Sequence, residues 1–214
     1  MIGLITWATP NEARSALMLG EIRLAYTVRL VDLAARAQSA PEFLAISPNN
    51  KIPSLIDRDQ TAGRHVPFGS GAVLIYLAEK SRRLLAGTGR RRDIVLSWLC
   101  WSTSGLGPTP DRLPQQVATS NGQARPEDSE REVIRLMRVL EEGLNEPFVV
   151  DEYSNADIAA FGWLKSTFYR DSDSARPAAN LSEEHCRWAW RRCGQRTTSS
   201  TGPRQDAVTE GCTP

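Results

Sequence analysis

The stretch "PFGSGAVLIYLAEK", Pro67 to Lys80, decides the fold. It begins as the end of an extended segment, turns on Gly69-Ser70-Gly71 and runs directly into apolar residues at helical length. "AVLIYLA" is apolar all round, and a helix without a polar face has to be covered on both sides, by a sheet and by a further layer. Ser70, ahead of Gly71-Ala72-Val73, reads as an N-cap. A helix that opens on Gly-Ser-Gly also points unpaired backbone N–H groups forward, the setting in which a carboxylate or phosphate binds. The turn is therefore either a cap or an anion site.

Upstream, "IGLITW" (Ile2 to Trp7) reads as a buried strand, and "TPNEARSALMLGE" carries a helix start, with Thr9 as cap, Pro10 at the first helical position and Glu12 three residues after the threonine. Gly20 marks the expected end of that helix. "AYTVRLVDL" alternates like a strand, "APEFLAI" is a short helix, "IPSLID" a second apolar run after the "SPNN" turn, and "RHVPF" a short strand candidate. Strand, helix, strand, helix, strand, strand, helix packs as a small mixed sheet with helices on its faces.

The covering layer is expected from the second half. "RRDIVLSWLCWSTSGLG" and "EDSEREVIRLMRVLEEGLNE" are helical in pattern, and no convincing strand follows them. Trp98 and Trp101 fall at core spacing in an apolar helix. "SNAD", Ser154 to Asp157, has capping-box spacing. "TPDRLPQQVATSNGQARPED" holds three prolines and no period, so it is expected as a loop or broken helix. The boundary is placed in the loop around residues 84 to 91, giving domains at 1–84 and 91–192. Composition changes past Asp171, and 193–214 reads as a disordered tail.

With 26 basic and 25 acidic residues the chain has no net field to hold a polyanion, so neither nucleic acid nor a membrane surface is an expected partner. The basic run "RRLLAGTGRRR" reads as a solvated loop. No segment approaches transmembrane length and "MIGLITWATP" lacks a basic leader, which places the protein in the cytoplasm. Cys100, Cys186, Cys193 and Cys212 form no CxxC, and with His65 and His185 they complete no zinc spacing, so no metal is expected.

A proline at Ile52-Pro53, before a short strand at a sheet edge, is a candidate for the cis isomer. Such an edge can hydrogen-bond an extended peptide by strand addition. Taken with "ATPNEARSALML", "PEFLAISPNNKIPSLID", "SGAVLIYLAEK" and "LSWLCWSTSGLGP", and then "RLMRVLEEGL" and "DEYSNADIAAFGWL", the chain resembles the nu-class glutathione transferases, which include glutathione-dependent disulfide-bond oxidoreductases.

The resemblance implies an α/β plus all-α fold: a thioredoxin-like N-terminal domain that binds glutathione, followed by an all-helical C-terminal domain. It implies a homodimer, with glutathione as co-substrate and a small electrophile or disulfide as second substrate. No catalytic cysteine is used in that family. The glutathione sulfur is held by a threonine and an asparagine, here Thr9 and Asn11. Thr9 can do this while capping, because a hydroxyl accepts through two lone pairs and donates one proton. The resemblance further assigns Ile52 and Pro53 to the cysteinyl backbone, Gln38 and Lys51 to the glycyl end, and Gly69 and Ser70 to the γ-glutamyl end.

Three positions depart from the family. Gly69 replaces an acidic residue that pairs with the glutathione amino group, a loss of about 1.5–3 kcal/mol, or roughly one to two powers of ten in affinity. Asp128 and Ser129 stand where the family has an arginine and a tyrosine, with Arg131 nearby. The loop from Pro108 to Pro126 is shorter than usual. The expected function is thiolate chemistry on disulfides or electrophiles; the alternative is a non-catalytic binding or regulatory protein of the same fold.

Overall fold

The computed structural model describes residues 1–7, 10–59, 63–106, 126–144 and 148–168. Of the expected loop at 109–128, residues 109–125 lie outside the described residues and 126–128 are helical; the tail at 193–214 also lies outside the described residues. The chain runs β1 (Ile2–Thr6), α1 (Pro10–Ile22), β2 (Tyr26–Leu30), α2 (Pro41–Leu44), β3 (Ser54–Asp59), β4 (Gly63–His65), α3 (Ser70–Ser81), α4 (Arg90–Trp101), α5 (Pro126–Gly143) and α6 (Asn155–Phe168). Among the described residues every strand precedes residue 66, and no helix is long and apolar enough to cross a membrane.

The sheet order is β2-β1-β3-β4. β1 pairs parallel with β2, which requires a crossover that α1 supplies, while β3 and β4 run antiparallel. Strand alternation splits β1 between two layers. Ile2 and Leu4 enter a core with α1 and α3, whereas Ile5 packs on the other face with Val31, Phe43 and Ile46. The first core continues without a break into the second half, through Val95 and Leu99 of α4 and Ala156, Ile158 and Ala159 of α6. A third cluster joins Leu136, Met137 and Leu140 of α5 to Ala160 and Trp163 of α6.

Several element boundaries differ from the sequence expectation. α1 passes Gly20 and ends only at Ile22, because Leu19 and Ile22 are both buried in the core; left-handed Arg23 (φ 57°) stops it. β2 is shorter than its alternation suggests, since the Asp32 carboxylate accepts N–H bonds from Ala34 (2.9 Å) and Ala35 (3.1 Å) and turns the chain. The apolar stretch of α3 is covered as expected: Val73, Leu74, Leu77 and Ala78 are buried with Ile75 and Tyr76 partly buried on the same core, and Ala72 alone of the stretch is exposed. "SNAD" forms the carboxylate half of its box, with Ser154 donating from both N–H and Oγ to Asp157 at 2.8 Å, and Val149 N–H adding a bond of 2.9 Å. Burial pushes the Asp157 carboxyl up, against those donated bonds.

Asp57 of β3 fastens the far end of α3 to the sheet. Its carboxylate accepts the Tyr76 hydroxyl at 2.6 Å and pairs with Lys80 at 2.8 Å. Burial pushes this carboxyl up, but the bonds from Lys80 and Tyr76 and the lysine's charge together hold it below its ordinary value near 3.8. A depressed pKa stabilises the fold above the unfolded value and the benefit is lost as pH falls through the folded one. Asp57→Asn is therefore expected to destabilise by about 1–3 kcal/mol near neutrality. In urea titrations the gap from wild type should narrow as pH drops below about 4; a gap independent of pH would contradict the assignment.

Candidate functional site

The register brings the sequence-predicted residues to one end of the sheet. Ile5 of β1 sits opposite Ser54 of β3, and Ser54 bridges on its other side to Phe68. Thr6 lies beside Leu30 in the parallel pair. Past that line, β1 leads toward α1, β2 opens into the loop holding Gln38, Ile52 and Pro53 precede β3, and Phe68 leads through Gly69 into α3. Thr9 lies outside the described residues. Asn11 occupies the first turn of α1.

The Ile52–Pro53 peptide bond is cis, as expected, but β3, which it precedes, is an inner strand between β1 and β4 and not a sheet edge. The Pro53 carbonyl accepts the Gly69 N–H at 2.9 Å, and Leu55 N–H bonds to the Pro67 carbonyl at 2.9 Å, so the segment before α3 runs antiparallel along the start of β3. Among the described residues neither backbone group of Ile52 is hydrogen-bonded. Unpaired backbone just before β3 thus lies next to the opening of a helix.

One expectation is corrected here. Gly69, not Ser70, is the N-cap: it has φ 82° and its carbonyl takes the Val73 N–H at 3.0 Å, while Ser70 is the first helical residue. The tie to Pro53 fixes Gly69 outside the helix, so the Ser70 hydroxyl is not the cap, and the N–H groups of Ser70, Gly71 and Ala72 precede the first intrahelical bond. Gln38 lies in a short 3-10 turn, Ala37–Ser39, beside the cluster that includes Ala37 and Ile52; its amide oxygen is buried with no partner among the described residues. Lys51 is exposed, its carbonyl held by the Ser47 hydroxyl at 2.8 Å.

The helical half reaches this end through α4, whose last turn widens into a π-turn at Ser102–Leu106. A Cβ at Gly71 would meet the Thr103 methyl at 3.4 Å. Thr103 was missed in the sequence; its only signal is a serine and threonine run, "STS", inside a helical pattern. Trp98 and Trp101 form an edge-to-face pair at 5.2 Å, both packed on the cluster between α5 and α6. Asp128 and Ser129 fall within α5.

Residues 4–83 match the family model "Glutathione S-transferase, N-terminal domain". A glutathione transferase from Pseudomonas putida, whose crystal structure holds one glutathione disulfide per subunit, superposes with a TM-score of 0.77 at 32% identity, covering 91% of this chain and 85% of that one. The chain belongs to the glutathione transferase family. Among curated relatives, the disulfide-bond oxidoreductase YfcG of Escherichia coli is 38% identical over 181 residues, 78% of this chain and 80% of the relative. The glutathione transferase YghU of Streptococcus pneumoniae, solved with glutathione, gives a TM-score of 0.80 at 25% identity, covering 94% of this chain and 83% of that one.

In this glutathione transferase the two glycines of the turn serve different ends. Gly69 has open space around a would-be Cβ but a φ of 82°, whereas Gly71 has ordinary helical backbone and a methyl neighbour at 3.4 Å. Gly69→Ala is expected to cost about 1–3 kcal/mol in backbone strain. Gly71→Ala should be neutral or stabilise by up to about 1 kcal/mol through helix propensity. Denaturant melts that ranked the two the other way would show that space, not conformation, governs the turn.

Proposed function

We propose that this chain binds glutathione at the C-terminal end of β1 and uses its thiolate to reduce disulfides, with attack on small electrophiles as the related activity of the same site. The reading rests on the cis Ile52–Pro53 segment, which is hydrogen-bonded through Pro53 to the cap of α3. It is supported by 38% identity to a protein named a disulfide-bond oxidoreductase. The Ile52 backbone pairs with the cysteinyl segment by strand addition. The Ser70 hydroxyl and the leading N–H groups of α3 take the γ-glutamyl carboxylate. Lys51 and Gln38 serve the glycyl end, and Thr9 and Asn11 hold the sulfur at the opening of α1.

A free thiol ionises near 8.5, and a hydroxyl donating to the thiolate, with the positive end of a helix behind it, favours the charged form. Making the thiol ten times more acidic takes about 1.4 kcal/mol of preferential stabilisation of the thiolate, within reach of one or two charge-assisted bonds. The thiolate attacks one sulfur of a disulfide, the other sulfur leaves as thiolate and takes a proton, and a second glutathione resolves the mixed disulfide to glutathione disulfide. This chemistry needs reduced glutathione, which fits a reducing cytoplasm. Residues 1–84 are the glutathione-binding domain and 91–192 the helical one in this reading, and the protein acts as a homodimer.

Purified protein is expected to reduce a small mixed disulfide with glutathione as electron donor, and Thr9→Ala to lower turnover with the fold retained. Saturable glutathione binding without turnover above the uncatalysed rate at millimolar glutathione would instead support the non-catalytic alternative. Gly69→Glu supplies the missing partner for the ligand's ammonium group, and should tighten glutathione about tenfold to a hundredfold. The same variant should melt earlier, because its φ of 82° suits only glycine.

A further inference from the structure

On the antiparallel pair β3–β4, Arg58 stands directly opposite Arg64. The same register continues to the Ser54–Phe68 bridge, which is flanked by the Gly69 N–H bond to Pro53 and the Leu55 N–H bond to Pro67. Ser54 and Phe68 therefore exchange no hydrogen bond with each other. Pair types alternate along an antiparallel ladder, so Arg58 and Arg64, an even number of residues further on, form a pair of the same kind. This kind has the closer spacing, with Cα atoms about 4.5 Å apart. Like charges directly opposed in this way destabilise a sheet.

Among the described residues neither guanidinium has a hydrogen-bond or ion-pair partner, and both arginines are exposed. Asp57, next to Arg58, is turned to the other face of the sheet and held there by Tyr76 and Lys80. The register sets Asp59 opposite Gly63, outside the arginine pair, and Gln60, Thr61 and Ala62 between the strands carry no charge. Two residues nearer the glutathione end on the arginines' own face, Ile56 and Val66 pack with Phe43 of α2. Arg58 belongs to an inner strand, and its N–H bonds to the Met1 carbonyl at 3.1 Å, so its backbone is held from both sides.

Two guanidiniums anchored on neighbouring strands, with repulsion between them left uncompensated, are complementary to a group that carries two negative charges and several acceptor oxygens. The chain's 26 basic and 25 acidic residues give no net field to gather a polyanion, so the attraction is local and suits a small ligand. We propose that the Arg58–Arg64 pair is a second anion site, which takes the phosphate group of a small molecule as a dianion bridging both guanidiniums. It lies at the opposite end of the sheet from the Gly69–Pro53 junction and does not depend on glutathione binding there.

Thermal melts of wild type, Arg58→Gln and Arg64→Gln test this at about pH 8, in chloride and in inorganic phosphate matched for ionic strength. In chloride each glutamine variant should melt roughly 1–3 °C above wild type, because the repulsion is gone. Phosphate strengthens apolar burial in every variant alike, so the reading is a difference. Wild type should gain roughly 2–4 °C more from phosphate than either variant does. In parallel, the backbone amides of Arg58 and Arg64 should shift saturably with phosphate by NMR, with or without glutathione present, and far less with acetate. Equal phosphate gains in all three proteins overturn the proposal, as do equal shifts with acetate. Shifts centred on Ser70 and Gly71 that glutathione abolishes also overturn it, since the anion then sits at the opening of α3.

Discussion

The hydrogen bond from Gly69 N–H to the Pro53 carbonyl, 2.9 Å long, organises the site end of this molecule. It joins the start of β3, just after a cis peptide bond, to the residue that caps α3. Because Gly69 is held there with φ 82°, the helix begins at Ser70, and its first free N–H groups open beside the unpaired backbone of Ile52. Unpaired backbone and a helix N-terminus recognise complementary parts of one peptide-like ligand, the first its amides and the second its carboxylate.

Rigidity behind that junction comes from a core that does not stop at the end of the sheet. α3 is covered by the sheet on one side and by α1, α4 and α6 elsewhere, with Val73, Leu74, Leu77 and Ala78 all buried. Asp57 pins its far end, and Gly71 sets its near end against Thr103 in the π-turn that follows α4. The Asn155 N–H bond to the Leu84 carbonyl, 2.9 Å, ties α6 to the loop that follows α3. The helical half therefore supports the elements that carry the candidate site.

Much of this was legible in the chain. The order of strands and helices follows from local pattern, while the cis proline and the Ser154–Asp157 box were carried by the family resemblance. What local rules could not settle was decided at a distance. Serine and glycine are both acceptable caps, and only the bond to Pro53 chooses Gly69 over Ser70. Gly20 reads as a helix end until burial of Ile22 carries α1 past it. Nothing near Arg14 in the chain marks it for burial, because the Trp163 ring and the gap at Gly162 that receive it lie far along the sequence. The fold depends mainly on local pattern and apolar spacing; the site depends on which distant backbone groups meet.

Residue-resolved backbone NMR during a glutathione titration tests the junction most directly. The account predicts that the amides of Ile52, Ser70 and Gly71 shift together along one saturation curve, while those at the opposite end of the sheet, around Asp57 and His65, stay in place. Shifts confined to either segment alone, or centred away from both, would contradict the claim that the Gly69–Pro53 bond assembles a single glutathione site.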